Sequence, residues 1–289
     1  MGIKKKMTWF DYLLILIFLV ILLMTFYPFL NVLAISLNDS LETIKNINII
    51  IPNKPTMANY NYVFRDSGLV NAALLSVART VIGAFISVMA TSMLAYTLSR
   101  KEFIARRLFT IIFVITMYVG GGIIPDYLLI IQTLGLKNNF LVYLLPGLIW
   151  VYNMILIRSY MQGLPDALEE AALLDGANDL QVFFKIIFPI CKPVVATVTP
   201  FYAVGQWNSF MDTYLYAKKL PTLQYKLYEI MSQANMQIDT HNTTSNAISI
   251  TPMSIRMAVT VVATVPILIV YPFVQKYFVG GMTLGSVKA

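Results

Sequence analysis

Five carboxylates fall close together in the stretch Leu164–Pro193, LPDALEEAALLDGANDLQVFFKIIFPICKP: Asp166, Glu169, Glu170, Asp175 and Asp179. Paired acids of this kind can serve acid–base chemistry or hold a metal, but both uses need partners that this chain lacks. Its one histidine, His241, rules out a histidine-based metal cluster and leaves no Ser–His dyad among the apolar segments. Its one cysteine, Cys191, rules out a disulfide framework within the chain and reads as a packing residue. No G-x-x-x-x-G-K-[ST] pattern is present to cradle nucleotide phosphates. Catalytic and metal-ligating residues are therefore assigned to none. The carboxylates have another physical reading, because Asp166, Glu169 and Glu170 sit in the opening turns of a helix, where the helix dipole favours negative charge. Pro165 suits a first helical position, and Leu168, Ala171, Ala172 and Asp175 fall at helical spacing. Gly176 can adopt the left-handed conformation that ends the helix. Asn178 or Asp179 can cap a second helix running through Phe183, Phe184, Ile186 and Ile187.

The segments on either side are strongly apolar. Hydrophobic residues make up 58% of the chain and charged residues 12%, about half the charged share of soluble domains, and mean hydropathy is +0.70. This composition implies an all-α integral membrane protein and excludes a large soluble core. The net charge of +7 could suggest nucleic acid, but Lys and Arg gathered at the cytoplasmic ends of spans account for it without any nucleic-acid partner. Asn-x-Ser/Thr matches at Asn38 and Asn242 carry no weight, since the pattern is short and common.

Six spans are expected, at roughly Tyr12–Leu37, Leu69–Leu98, Leu108–Ile124, Phe140–Ile157, Ile186–Phe210 and Met257–Val279. The first follows Lys4, Lys5 and Lys6 but is too long for a signal-peptide core. It contains Pro28, an expected kink. Residues 38–68 read as a partly folded polar loop. Gly120, Gly121 and Gly122, followed by Pro125 and Asp126, mark a break or re-entrant turn after the third span. Pro146 and Gly147 interrupt the fourth span, and Pro189, Pro193 and Pro200 fall in the fifth. Residues 211–252 read as a second long polar loop. Lysines and arginines near span ends concentrate on the side of the two termini, among them Arg100, Lys101, Arg106, Arg107, Arg158, Lys185, Lys192, Lys276 and Lys288. Both termini and the acidic helix–turn–helix are thus expected in the cytoplasm.

Candidate solute contacts are Trp150, Tyr152, Tyr202 and Trp207, whose aromatic faces can pack on the C–H faces of sugar rings. Asn153, Gln206 and Asn208 are possible hydroxyl partners. Each aromatic residue reads equally as an interfacial anchor or as bundle packing. Arg79 lies well inside the second span, so it must face the bundle or a wet cavity. It either lines the pathway or fixes helix packing by bonding carbonyls.

The order Glu170-Ala171-Ala172, three residues, Gly176, nine residues, Ile186, one residue, Phe188-Pro189 resembles the EAA loop, E-A-A-x3-G-x9-I-x-L-P, of binding-protein-dependent ABC importer permeases. Phe188 replaces the usual Leu, a mild apolar change. The segments LGLKNNFLVYLLPG, IRSYMQGLPDALEEAALLDGA, GQWNSF and QKYFVGGMTLGSVKA resemble the maltose-type branch of carbohydrate permeases. MYVGGGIIPDYLLI is similar to the subgroup serving complex oligosaccharides and polysaccharide fragments. The resemblance covers nearly the whole chain, so residues 1–289 are expected to form one permease domain of the type I ABC importer fold, with its coupling loop at 164–193. It implies a multi-pass protein of the bacterial cytoplasmic membrane that moves an oligosaccharide and is not itself an enzyme. It further implies a second homologous permease, two ATP-binding cassette subunits and an extracellular solute-binding protein as partners. ATP would be used by the partner subunits, with no cofactor bound by this chain. Glu170, Ala171, Ala172, Asp175 and Gly176 would form the ATPase-coupling surface, and the C-terminal tail a second contact or a frayed end. A permease for a peptide or amino acid, and a secondary transporter, are the alternatives. The latter would need intramembrane acids and internal repeats, and the sequence supplies neither.

Overall fold

In a computed structural model, residues 8–47, 49–240 and 251–283 are described, with side chains described up to 234 and from 251 to 272 in the last two helices. Lys4, Lys5, Lys6, His241, Asn242, Gly285 and Lys288 lie outside the described residues. The elements are α1 (Trp9–Ser36), α2 (Ser40–Lys45), α3 (Ala58–Val63), α4 (Leu69–Ser99), α5 (Arg106–Tyr118), α6 (Ile123–Leu128), α7 (Val151–Met161), α8 (Ala167–Leu174), α9 (Asp179–Val182), α10 (Phe188–Ile190), α11 (Lys192–Asn208), α12 (Met211–Tyr216), α13 (Leu223–Thr240) and α14 (Pro252–Thr283). No strand occurs among the described residues. The chain divides into two compact units, residues 1–67 with 227–266, and residues 68–226 with 267–289.

Among the described residues, three helices are individually long and apolar enough to cross a membrane: α1, α4 and the first part of α14. Counting each of two bent pairs as one span brings the number to five. In the first pair, α5 meets α6 and the π-turn Leu129–Thr133 at 114°. The break falls at the glycines expected to make it, and Gly122 carries φ +86°, a conformation that side chains with a Cβ resist. In the second pair, the segment Asp179–Ile190 meets α11 at 84°. Pro193 lies at the start of α11, where a proline is accommodated. The expected fourth span is resolved as a short 3-10 turn at Phe140–Tyr143, an interruption at Pro146–Gly147, and the eleven-residue α7. Alpha-helical rise is about 1.5 Å per residue, so α7 alone is shorter than a bilayer core. Pro28 and Pro200 are absorbed inside continuous helices.

In the unit formed by residues 1–67 and 227–266, the expected loop after α1 is folded by side-chain bonds to backbone. Asn59 is 1% exposed, and its Nδ2 donates to the carbonyls of Ser36 at 2.9 Å and Asn38 at 3.0 Å. Asn38 Nδ2 donates to Thr43 Oγ1 at 3.1 Å, while its Oδ1 accepts from the Lys54 N–H at 2.9 Å. Most of α1 presents bare apolar side chains, as expected of a helix facing lipid or a partner. Within the stretch 211–252, expected to be a long polar loop, Met211–Tyr216 and Leu223–Thr240 are helical. Leu223, Leu227, Ile230 and Ala234 repeat at helical spacing along α13 and are all buried.

In the unit formed by residues 68–226 and 267–289, α4 packs along α11 and α7. One apolar cluster joins Ala95, Tyr96 and Leu98 of α4 with Met154, Ile157 and Met161 of α7, and with Ala172, Val182, Phe183, Ile187 and Cys191. The acidic helix–turn–helix is therefore built on the core of the bundle rather than suspended from it.

Replacing Asn59 by Ala leaves two buried carbonyls without donors, at about 1–3 kcal/mol each. The expected outcome is faster amide exchange across residues 36–60, with α4 unchanged.

Candidate functional sites

Two sites lie on α4, one at its C-terminal end and one within its N-terminal half. At its C-terminal end, α8 and the turn after it are fixed by interlocking bonds. The Gly176 N–H donates to the Leu173 carbonyl and the Ala177 N–H to the Ala172 carbonyl, both at 3.0 Å. With Gly176 at φ +84°, these are the paired bonds of a Schellman turn. Gly176 thus ends the helix as its sequence position indicates. Asn178 then opens α9 with a capping box: its Oδ1 accepts from the Gln181 N–H at 2.9 Å, and Gln181 Oε1 accepts from the Asn178 N–H at 3.1 Å.

The residue that ties α8 to α4 is Glu169, which the motif reading passes over in favour of Glu170. Tyr96 O–H donates to Glu169 Oε1 at 2.7 Å, and Arg100 pairs with Glu169 Oε2 while its guanidinium lies 4.3 Å from the centroid of the Tyr96 ring. The Arg100 and Glu169 side chains are only 19% and 13% exposed, against 70% and 62% for the neighbouring pair Lys101–Asp166 at 2.6 Å. The first pair is thus sheltered and the second is screened by water. The hydrogen bond from Lys101, and its charge, hold the Asp166 carboxyl below its ordinary value. That exposed tie is complete above the ordinary carboxylate range and is lost as pH falls through the lowered value. The signal for Glu169 was Tyr96 and Arg100 near the end of the preceding long helix, but only the fold brings them to it.

The five expected coupling residues divide into two groups. Ala172 is buried in the bundle core, so its small side chain lets α8 approach its own unit rather than a partner. Glu170, Ala171, Asp175 and Gly176 are exposed. Beside them Leu168, Leu173 and Leu174 are 39%, 46% and 88% exposed, an apolar surface on an otherwise anchored helix.

Toward the N-terminal half of α4, Arg79 is 2% exposed. A charge so placed must be compensated. Its Nη2 donates to Asp212 Oδ2 at 2.6 Å and its Nη1 to Asp212 Oδ1 at 3.2 Å. Nε and Nη2 share Gln206 Oε1 at 3.0 and 2.8 Å, and the guanidinium stands 4.3 Å from the centroid of the Tyr143 ring. Gln206 Nε2 in turn donates to the Tyr143 carbonyl at 3.0 Å. Arg79 is expected either to line the pathway or to bond carbonyls; its bonds go mainly to a carboxylate and a side-chain amide oxygen, with the Ser209 carbonyl at 3.5 Å.

The cluster floors an open cavity of about 180 Å³ whose lining includes Arg79, Tyr143, Trp150, Tyr202, Gln206 and Asp212. The Trp150 and Tyr202 rings lie 5.2 Å apart, and the Tyr202 hydroxyl both accepts the Trp150 backbone N–H at 3.0 Å and meets Thr91 Oγ1 at 2.7 Å. Two glycines make room. A Cβ at Gly205 would lie 2.6 Å from Trp150 Cη2, and a Cβ at Gly83 would lie 2.9 Å from Gln206 Cδ. Of the expected solute contacts, Arg79, Trp150 and Tyr202 therefore converge. Tyr152 and Trp207 do not line this cavity: Tyr152 is 58% exposed on α7, and Trp207 is partly buried. Asn153 is buried away from solvent with its Nδ2 unbonded. Sequence reading missed Asp212, because its partner is remote in the chain and meets it only in the fold.

Broken helices, a helix–turn–helix anchored on the bundle and a cavity between helices with a paired Arg79 and Asp212 in its lining define an all-helical membrane transport subunit. Residues 79–284 match the family of binding-protein-dependent transport system inner membrane components. The chain is similar to the polygalacturonan/rhamnogalacturonan transport system permease protein YtcP of Bacillus subtilis, at 38% identity covering 96% of this chain and 98% of that one. It is also similar to the arabinooligosaccharides transport system permease protein AraQ of Halalkalibacterium halodurans, at 28% identity covering 99% of each. A crystal structure of a bacterial ABC transporter involved in the import of the acidic polysaccharide alginate contains a chain that matches with a TM-score of 0.77 and 27% identity, over 95% of this chain and all of that one. The chain belongs to the binding-protein-dependent transport family. It is a multi-pass permease subunit of an ABC importer, with the type I permease fold.

Two outcomes follow from this geometry. Ala171→Glu is expected to leave the melting temperature of the solubilised protein unchanged, whereas Ala172→Glu places an unpaired charge in the core and lowers it sharply. Arg79→Ala strands Asp212 beside Tyr143 and is expected to cost about 3–5 kcal/mol, read in the same melting assay, with Arg79→Ala/Asp212→Ala recovering part of the loss.

Proposed function

We propose that this chain is the oligosaccharide-conducting permease of an importer whose energy comes from separate subunits. In this reading it pairs with a second homologous permease, two ATP-binding cassette subunits that bind the ATP, and an extracellular solute-binding protein. It binds no cofactor of its own and performs no catalysis. Both termini and the loop 164–193 face the cytoplasm, in keeping with the concentration of Lys and Arg on that side. The names of the relatives, which refer to polygalacturonan, rhamnogalacturonan and arabinooligosaccharides, support a carbohydrate cargo of several rings.

The observation that carries the coupling role is the contrast within α8. Its inner side is locked to α4 through Glu169, Tyr96 and Arg100 and through buried Ala172. Its outer side leaves Leu168, Ala171 and Leu174 uncovered. A short rigid helix with an apolar outer surface suits a groove on a soluble partner, because a push applied there reaches α4 and α7 without being lost in a flexible loop. Glu170 and Asp175 rim that surface and Gly176 sets the exit angle toward α9.

The test is copurification followed by activity. An ATPase and a second permease are expected to copurify with the tagged chain, and a lone active protein overturns the reading. In the reconstituted importer Gly176→Pro and Ala171→Glu are expected to abolish solute-stimulated ATP hydrolysis and uptake while membrane insertion persists. Normal uptake in both variants would remove the coupling role.

A further inference from the structure

The cavity at Arg79 has a chemistry that selects among carbohydrates. We infer that it is a subsite for one uncharged pyranose ring, seated on Trp150 and hydrogen-bonded through its hydroxyls to Asp212 and Gln206. This deepens the oligosaccharide reading above and rests on it.

Size gives the first argument. The cavity is about 180 Å³, below the roughly 300–1,000 Å³ of clefts that enclose a drug-sized ligand. It holds one ring of a chain, with the rest continuing through its open side. Shape gives the second. Trp150 lines the cavity and is 41% exposed, so part of its apolar surface is available. Its backbone N–H is held by Tyr202, which is itself 1% exposed and pinned by Thr91. Gly205 makes room for the indole against α11, because a Cβ there would clash with it. Tyr202 is therefore a positioning residue, and Trp150 is the platform. Sugar rings carry C–H groups with slight positive charge on one face, and an aromatic face with negative quadrupole attracts them while water is displaced.

Charge gives the third argument. Arg79 and Asp212 are the charged residues of the lining, and they neutralise each other at 2.6 Å. Gln206 Oε1 takes two further Arg79 donors. An incoming uronate carboxylate thus meets no uncommitted cation and must displace Asp212 to reach Arg79. A sugar hydroxyl suffers no such penalty. It can donate to Asp212, whose side chain keeps 19% exposure, and such bonds to a charged acceptor are the stronger kind.

The experiment uses the complete importer with its binding protein in proteoliposomes, and two matched pairs of probes: galactotriose with trigalacturonate, and mannotriose with trimannuronate. The quantity is the ratio of uptake KM for the acidic and neutral member of a pair, compared between wild type and variant so that selection by the binding protein cancels. Asp212→Asn leaves Arg79 uncompensated and is expected to shift the ratio about tenfold toward the acid, the effect of roughly one strong charge contact. Trp150→Ala is expected to raise KM for the neutral probe about tenfold, and Trp150→Phe to restore most of it. If Asp212→Asn misfolds, the Trp150 pair carries the test unaided. An unchanged ratio in a folded Asp212→Asn importer, or an unchanged KM in Trp150→Ala, overturns the subsite while leaving the oligosaccharide reading intact. Transport of none of the four probes by wild type overturns both.

Discussion

A guanidinium held inside a membrane helix is tolerable only if its charge is met on the spot. Arg79 meets that condition through Asp212 and Gln206, and much of the second unit is arranged to let it do so. Gln206 must come close to α4, which Gly83 permits. Asp212 must turn back toward the bundle, which the end of α11 at Ser209 and the start of α12 permit. Tyr143 must lie under the guanidinium, and its hydroxyl is fixed by the Leu220 carbonyl at 2.6 Å and by Thr213 at 3.1 Å. The interrupted fourth apolar segment follows from the same arrangement. A continuous helix there would not deliver both the Tyr143 carbonyl to Gln206 and the Trp150 N–H to Tyr202.

The same helix carries the second anchor. Arg79 and Tyr96 lie roughly 25 Å apart along α4, at about 1.5 Å per residue. The N-terminal half holds the cavity at Arg79, and the C-terminal end holds α8 through Glu169. The helix between them packs on α11 and α7 through small and apolar residues such as Ala84, Val88 and Ala95, with no proline in its interior. A straight, well-packed helix transmits displacement between its ends because cores at close-packed density resist compression. The breaks are placed elsewhere, between α5 and α6 and between α10 and α11. There glycine or proline removes the helix's own resistance to bending.

Much of this was legible in the sequence. The Schellman turn at Gly176, the cap at Asn178 and the break at the glycine run all depend on residues within a few positions of one another, so local chemistry settles them. The spans at α1, α4 and the first part of α14 follow from apolar length, whereas the expected fourth span is broken by Pro146 and Gly147. Legibility ended where long-range pairing began. Glu169 and Glu170 are indistinguishable by composition, and only the packing of α8 against α4 decides which one finds Tyr96 and Arg100. Ala171 and Ala172 are likewise identical as letters, yet one is exposed and the other lies in the core. Polarity suggested an open loop for residues 211–252, but the apolar stripe of α13 overrode it.

By itself the sequence determined the class of the protein and the inventory of its local devices. A chain this apolar must satisfy its backbone within helices, and glycine, proline and asparagine act on their immediate neighbours. Only the tertiary structure decided which charges face each other. The partners of Arg79 lie 127 and 133 positions away, at Gln206 and Asp212, and no local propensity encodes a separation of that length. It also decided that Trp150 and Tyr202 line one cavity while Tyr152 and Trp207 do not. The direction an aromatic side chain takes depends on which helix face is buried, and that is a property of the packed bundle.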